Sequence, residues 1–354
     1  MSRFFSEKHA SLEPYVPGEQ PKERKYVKLN TNESPFSPAP LAVAYARSVI
    51  GTLELYSDPE LRDLCDVASK YFRVEKDEII FTNGSDEILD FAFSAFCDEK
   101  HPAVFPDITY GFYPVFAEKY GVPYETFPLE KDLTIDVEKY IGVGKTVFLA
   151  NPNAPTGIAL PLEDIERIIR SNPDNVVIID EAYVDFGAQS AVKLIKKYDN
   201  LLVTQTFSKS RSLAGARLGM GFACKELIRD LNTLRYSTNP YNVNRVTENA
   251  GIGALLDDAY MKENCKKIIE NREYTVSELK KLGFEATDSK ANFIFVKHPK
   301  IGGKELYLKL KERGVLVRHF EKERLKDHNR ITVGSLEQMK RFIKETSEIL
   351  EEVK

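Results

Sequence analysis

Between Leu201 and Gly219 the chain reads LLVTQTFSKSRSLAGARLG, an apolar, β-rich start that runs into hydroxyls around one lysine, Lys209. A lysine at the end of a buried strand is costly to desolvate unless it is paired or chemically used. Thr206, Ser208, Ser210 and Ser212 surround it with hydroxyl donors. Arg217 adds a planar fork that fits phosphate oxygens. An amine that can condense with a carbonyl, set beside phosphate donors, suits a phosphorylated carbonyl cofactor.

Other stretches offer complementary groups. Val176–Ile179 is an uninterrupted apolar run, as in a strand buried on both faces, and Asp180 follows it directly. A carboxylate there needs a cationic partner, or else it caps the next turn. Gly84, Ser85 and Asp86 follow the short strand-like run Glu78–Thr82 and precede an apolar stripe of Leu89, Phe93 and Phe96. They read as a helix start, whose free N–H groups and positive dipole end attract phosphate. Asn151–Gly157, NPNAPTG, is a loop defined by two prolines and a glycine.

Taken together, T-x-S-K with AGARLG, VVIIDEAYVDF at Val176–Phe186, NPNAPTG, LNTNESP and RITVG stand in an order that resembles the pyridoxal-phosphate aminotransferases of fold type I. Within that group the chain is similar to the histidinol-phosphate aminotransferases. The resemblance spans nearly the whole chain and implies a role for each matched residue. Lys209 holds pyridoxal phosphate and moves the substrate α-proton. Asp180 pairs with the protonated ring nitrogen, Tyr183 donates to the phenolic oxygen, and Tyr110 stacks on the ring. Gly84, Ser85, Asp86, Thr206, Ser208 and Arg217 surround the cofactor phosphate, and Tyr56 reaches it from the other subunit of a homodimer. Tyr15 and Asn32, in an extended arm, lie near the substrate. Arg330, which opens RITVG, matches a fork for the α-carboxylate, and Arg318 matches an arginine near the substrate phosphate. One departure stands out. The family usually has asparagine before P-T-G, bonded to the phenolic oxygen, where this chain has Ala154. Either Asn153 reaches that oxygen instead or Tyr183 holds it alone.

The elements that must position these groups follow from pattern. Pro14, Pro17, Pro21, Pro35, Pro38 and Pro40 make residues 1–40 an extended arm. Helical spacing runs over Leu41–Arg73, broken at Gly51 and at Ser57-Asp58-Pro59. Strands are expected at Ala103–Phe105 and Thr146–Ala150, and a βαβ crossover joins Asp180 to Lys209, with Ala191, Leu194, Ile195 and Tyr198 as the helix's apolar face. A long helix over Asp257–Leu282 precedes strand Asn292–Lys297, helix Lys304–Arg313 with Gly314 as its cap, strands Val315–Arg318 and Arg330–Val333, and a closing helix from Leu336. The resulting expectation is an α/β fold: a large domain over 41–260 with a mostly parallel mixed sheet flanked by helices, and a smaller C-terminal α/β domain over 261–354.

Composition sets the outer limits. With 354 residues, 42% hydrophobic and 29% charged content, the chain is long enough for one large and one smaller core. A net charge of −4 without a basic block argues against nucleic acid or an anionic membrane as partner and for small molecules. Cys65, Cys97, Cys224 and Cys265 form no C-x-x-C pair, so no metal site is expected and reduced, cytoplasmic thiols are. No secretory signal or membrane-spanning run is expected either. The resemblance implies transamination of histidinol phosphate with 2-oxoglutarate, giving imidazole acetol phosphate and glutamate in histidine biosynthesis. Threonine-phosphate decarboxylases and aromatic aminotransferases share most of these motifs. A non-catalytic relative, hinted at by Ala154 alone, and a dinucleotide enzyme, for which Gly215, Gly219 and Gly221 are wrongly spaced, fit the residues less well.

Overall fold

The computed structural model describes residues 2–10 and 12–353. Its largest sheet has seven strands, β2 (Ile79–Thr82) through β8 (Gly219–Phe222), preceded by a short β1 (Val27–Lys28) elsewhere. Between these lie β3 (Ala103–Pro106), β4 (Tyr124–Phe127), β5 (Thr146–Ala150), β6 (Val177–Asp180) and β7 (Leu201–Thr206), and the spatial order is β2-β8-β7-β6-β5-β3-β4. Only β8 runs antiparallel to its neighbours, so β2, β5, β6 and β7 all present their carboxyl ends at one edge.

The apolar strand runs are explained by burial on both faces. Side chains alternate across the sheet: Val147, Leu149, Val177, Ile179, Leu201 and Val203 face one core, while Phe148, Ile178 and Leu202 face another. The first core is completed by α1 (Pro40–Ser48), α2 (Arg62–Phe72), α5 (Leu162–Ser171) and α7 (Arg245–Leu256). The second is covered by α3 (Ser85–Phe96), α4 (Phe112–Tyr120) and α6 (Lys225–Thr238).

Beyond α8 (Asp258–Lys281) a four-stranded antiparallel sheet forms, ordered β12-β13-β10-β9, from β9 (Glu285–Ala286), β10 (Phe293–Lys297), β12 (Arg318–His319) and β13 (His328–Thr332). Helices α8, α9 (Gly303–Glu312) and α10 (Leu336–Glu352) cover it through Met261, Ile268, Leu306, Leu310, Met339 and Phe342. The serine before α10 makes a capping box with Gln338, which fixes where that helix starts. The arm is tied to this unit: β1 pairs in parallel with β11 (Val315–Leu316), and the carbonyl of Leu29 accepts the N–H of Thr332.

Two expectations about elements change. The link from β6 to β7 holds no α-helix, only 3-10 turns at Val184–Phe186 and Ala191–Leu194. The Glu181 carboxylate takes the N–H of Ala191 at 2.6 Å and the hydroxyl of Ser190 at 2.6 Å, and this anchoring competes with a continuous helix. The expected strand Val315–Arg318 is two pieces, because Val315–Leu316 pairs with the arm whereas Arg318–His319 pairs with β13.

Candidate active site

The carboxyl ends of β5, β6 and β7 open into a cavity of about 490 Å³, the position at which open α/β sheets bind ligands. Asp180 ends β6 and lies opposite Ala150 on one side and Thr204 on the other. Its carboxylate accepts from the N–H of Ala182 at 3.2 Å, from Thr204 Oγ1 at 3.2 Å and from the phenol of Tyr113 at 3.3 Å. None of these donors is charged. Burial, with the nearby carboxylate of Asp86, lifts Asp180 to about 6, against the pull of its hydrogen bonds. A buried carboxylate that faces a cavity and has no cation among its own hydrogen-bond partners fits a ligand that brings one.

Lys209 follows β7 and also lines the cavity. Its Nζ lies 5.8 Å from the ring centroid of Tyr183. Thr206 and Ser208 share a 3.0 Å hydroxyl contact, and Nη1 of Arg217 points to Ser208 Oγ at 3.4 Å. Arg217 sits in the left-handed region at φ 57, which swings its fork over the start of α3. There, no acceptor among the described residues takes the N–H of Ser85 or Asp86. Gly84 and Gly219 allow the close approach: a Cβ on Gly84 would meet Arg217 Nη2 at 2.4 Å, and one on Gly219 would meet the nitrogen of Ser85 at 2.3 Å. Free helix N–H groups, two hydroxyls and a guanidinium form a cradle that fits a phosphate.

Tyr110 lines the cavity and its phenol donates to Asp86 Oδ1 at 2.7 Å. Tyr15, from the arm, lies 6.3 Å from the Tyr110 ring and stacks on Phe112 at 4.2 Å. Burial raises the phenol of Tyr15, with Arg330 and Arg318 opposing it.

At the wall formed by the small sheet, Arg318 and Arg330 are directly opposite each other in the β12–β13 pairing. The Phe320 ring centroid is 5.7 Å from each guanidinium carbon. Arg318 donates to the arm carbonyls of Val16 and Pro17 at 3.3 and 3.4 Å, while Arg330 donates to the carbonyl of Asn30 at 3.1 Å. The Nε of Arg330 is buried without a partner, and burial holds its guanidinium below the usual range. A desolvated fork with a spare donor fits an anion.

Three expected residues stand differently. Asn153 does not line the cavity; it is 1% exposed and its amide is committed to Ile108 O, Thr156 Oγ1 and Thr109 Oγ1. Ala154 is the residue that faces inward, so the reading in which Asn153 replaces the missing donor is corrected. Asn32 lines the cavity, but its side chain is engaged by Thr332 and Tyr183 rather than free for substrate. Tyr56 is 78% exposed, stacked on Tyr241 at 4.5 Å and outside this chain's own cavity. Sequence reasoning missed Tyr113, Thr204, Phe320 and Lys322. Tyr113 stands three residues beyond Tyr110 and Thr204 lies two before Thr206, spacings that place each beside its partner; Phe320 and Lys322 carry no such signal.

A lysine, a buried carboxylate, a phosphate cradle and paired arginines at the carboxyl edge of a mostly parallel sheet define an enzyme of amino-group transfer. The sequence model of aminotransferase class I and II matches residues 24–345, and the chain belongs to that family. It is 47% identical over 352 residues to a histidinol-phosphate aminotransferase of Brachyspira hyodysenteriae, covering 99% of each chain. It is 48% identical to one from Marinomonas, covering 96% of this chain and 97% of that one. Its fold matches the crystal structure of histidinol-phosphate aminotransferase from Sinorhizobium meliloti in complex with pyridoxal phosphate, with a TM-score of 0.92 over 100% of this chain and 99% of that one at 24% identity.

Proposed function

We propose that this aminotransferase takes the amino group from histidinol phosphate and gives it to 2-oxoglutarate, using pyridoxal phosphate. The observation that carries the reading is the pair Arg318 and Arg330 flanking Phe320 in the same cavity as Lys209 and Asp180. Two cations on the substrate wall suit a phosphorylated amine in one half-reaction and a dicarboxylate in the other.

When bound, pyridoxal phosphate supplies a carbonyl for the substrate amine and a ring that takes up the electron pair left when the Cα–H bond breaks. The residues do the rest. The cradle of Ser85, Asp86, Ser208 and Arg217 would hold the phosphate, and Asp180 would hold a proton on the ring nitrogen. Tyr183 would donate to the phenolic oxygen. Lys209 would take the proton from substrate Cα as a base and later give it up as an acid. Arg330 orients the carboxylate of glutamate, and Arg318 with Lys322 orients the phosphate of histidinol phosphate. The ring of Tyr15 covers the cavity beside Tyr110 and helps exclude water.

An active homodimer accords with the exposed apolar run Ile50, Leu53, Leu55 and Tyr56, each more than half exposed, and a cytoplasmic location with four free cysteines. Tyr56 would then serve the partner's cradle. We further propose a division into an arm over 1–40, a large domain over 41–260 and a small one over 261–354, with the large sheet and small sheet carrying opposite walls of the site. The test is glutamate formation from 2-oxoglutarate with histidinol phosphate, threonine phosphate or phenylalanine as donor. Histidinol phosphate should give the largest kcat/KM; a larger value with phenylalanine would move the assignment to an aromatic aminotransferase.

A further inference from the structure

Tyr183 lines the cavity, and among the described residues one hydrogen bond touches its phenol: Asn32 Nδ2 donates to it at 3.0 Å. The direction of that bond is not arbitrary. The backbone N–H of Asn32 donates to Thr332 Oγ1 at 2.9 Å, and a backbone N–H cannot be an acceptor. The Thr332 hydroxyl is therefore an acceptor there, and its own proton goes to Asn32 Oδ1 at 3.0 Å. Turned over, the Asn32 amide would donate to the second lone pair of the Thr332 oxygen and leave the buried Thr332 hydroxyl proton with no acceptor among the described residues, so the nitrogen end faces Tyr183. The phenol oxygen accepts, and its proton is left to point away from Asn32, into the cavity.

The relay is rigidly framed. Asn32 is 1% and Thr332 2% exposed, and the carbonyl of Asn32 accepts from Asn292 at 2.9 Å. Asn32 also holds φ at 57, a left-handed conformation that asparagine tolerates better than most residues. Around the Tyr183 ring, Ala154 and the edge-on Phe293 offer no competing donor or acceptor. The charged and titratable groups facing Tyr183 are Lys209, Arg330 and the phenol of Tyr15.

We propose that Asn32 and Thr332 form a one-way hydrogen-bond relay that aims the Tyr183 proton at the phenolic oxygen of the cofactor, making them positioning residues for the single donor to that oxygen. The inference rests on the pyridoxal phosphate reading above. It also explains how the chain manages with an alanine at position 154. A buried hydroxyl whose proton direction is preset loses less on binding than one free to turn.

The test is a pH titration of the visible absorbance of the cofactor-loaded protein, a readout independent of turnover. A donor to the phenolic oxygen stabilises its anion and lowers the midpoint, so loss of the donor raises it. Thr332→Val should raise the midpoint by about half to one unit, in the same direction as Tyr183→Phe. Thr332→Ser should restore the wild-type midpoint, and Thr332→Val added to Tyr183→Phe should shift it no further. If Thr332→Val fails to fold, Asn32→Gly, which accepts a positive φ, should give the same rise. A wild-type midpoint in Thr332→Val or Asn32→Gly, or an additive shift in the double variant, overturns the relay alone. A wild-type protein with no visible cofactor band overturns the cofactor reading and the relay with it.

Discussion

Arg217 Nη2 lies 3.3 Å from Asp86 Oδ2, which joins the return from β7 to the first turn of α3. Both side chains are more than a third exposed, so this pair contributes little stability by itself. Its effect is positional. The carboxylate holds the guanidinium beside the free N–H groups of α3, and the same carboxylate holds the phenol of Tyr110.

Gly219→Ala tests that geometry. The new methyl would fall 2.3 Å from the nitrogen of Ser85, so β8 and α3 must separate. We expect a stability loss of about 1–3 kcal/mol by denaturant unfolding. Cofactor affinity should fall at least about tenfold, since the cradle is disturbed. Unchanged affinity would show that phosphate is held elsewhere.

Asp180→Asn should change how the cofactor-free protein responds to pH. Burial raises the folded carboxyl of Asp180 from 3.8 to about 6, so the protonated form is favoured on folding. Its contribution is fully present below the ordinary value and is lost as pH rises through 6. Between pH 4 and 7 the wild type should therefore lose roughly 2 kcal/mol relative to Asp180→Asn in paired urea titrations. Loading the cofactor, with a ring cation beside the carboxylate, should abolish that relative loss. A difference flat with pH in the cofactor-free pair would contradict the burial argument.

Much of the fold is legible because both-face burial leaves a direct mark on sequence. Thr146–Ala150 is a strand at the expected bounds, and Val176–Ile179 is displaced by one residue. The stretch from Glu181 to Tyr198 misleads, since its helical apolar spacing competes with a buried polar anchor, Glu181, that spacing cannot reveal. Burial raises that carboxyl to about 7, and three hydrogen-bond donors from Ser190, Ala191 and Gln205 surround it. At the cavity, Asp180 is legible because it terminates an apolar run, and Lys209 because it is the one lysine among the hydroxyls that follow another. Asn153 against Ala154 is not, because which of two adjacent loop residues faces inward depends on the path of the loop and on its partners Thr109 and Ile108. Phe320 and Lys322 enter the site only through the fold of the segment after β12.

Arg318→Met and Lys322→Met should separate phosphate recognition from the reaction itself. Lys322 lines the cavity and pairs with no carboxylate among the described residues. Each change should lower kcat/KM for histidinol phosphate by about 10–100-fold while altering that for unphosphorylated histidinol by less than about threefold. Equal losses for both donors would remove the phosphate role.

Lys209→Ala should abolish transamination, with turnover reduced by about 10⁴-fold or more, because the group that moves the Cα proton is gone. The variant should still fold, since Lys209 is only half-buried and pairs with no carboxylate among the described residues. Measurable turnover near the wild-type rate would assign the proton transfer to another residue.

The most direct measurement of the central claim is the visible spectrum of the cofactor-loaded protein before and after histidinol phosphate is added without any keto acid. The account predicts loss of the visible band of the lysine-bound cofactor with stoichiometric formation of the keto product, followed by recovery of the band when 2-oxoglutarate is added. A spectrum that ignores histidinol phosphate yet responds to phenylalanine or threonine phosphate would contradict the proposed substrate.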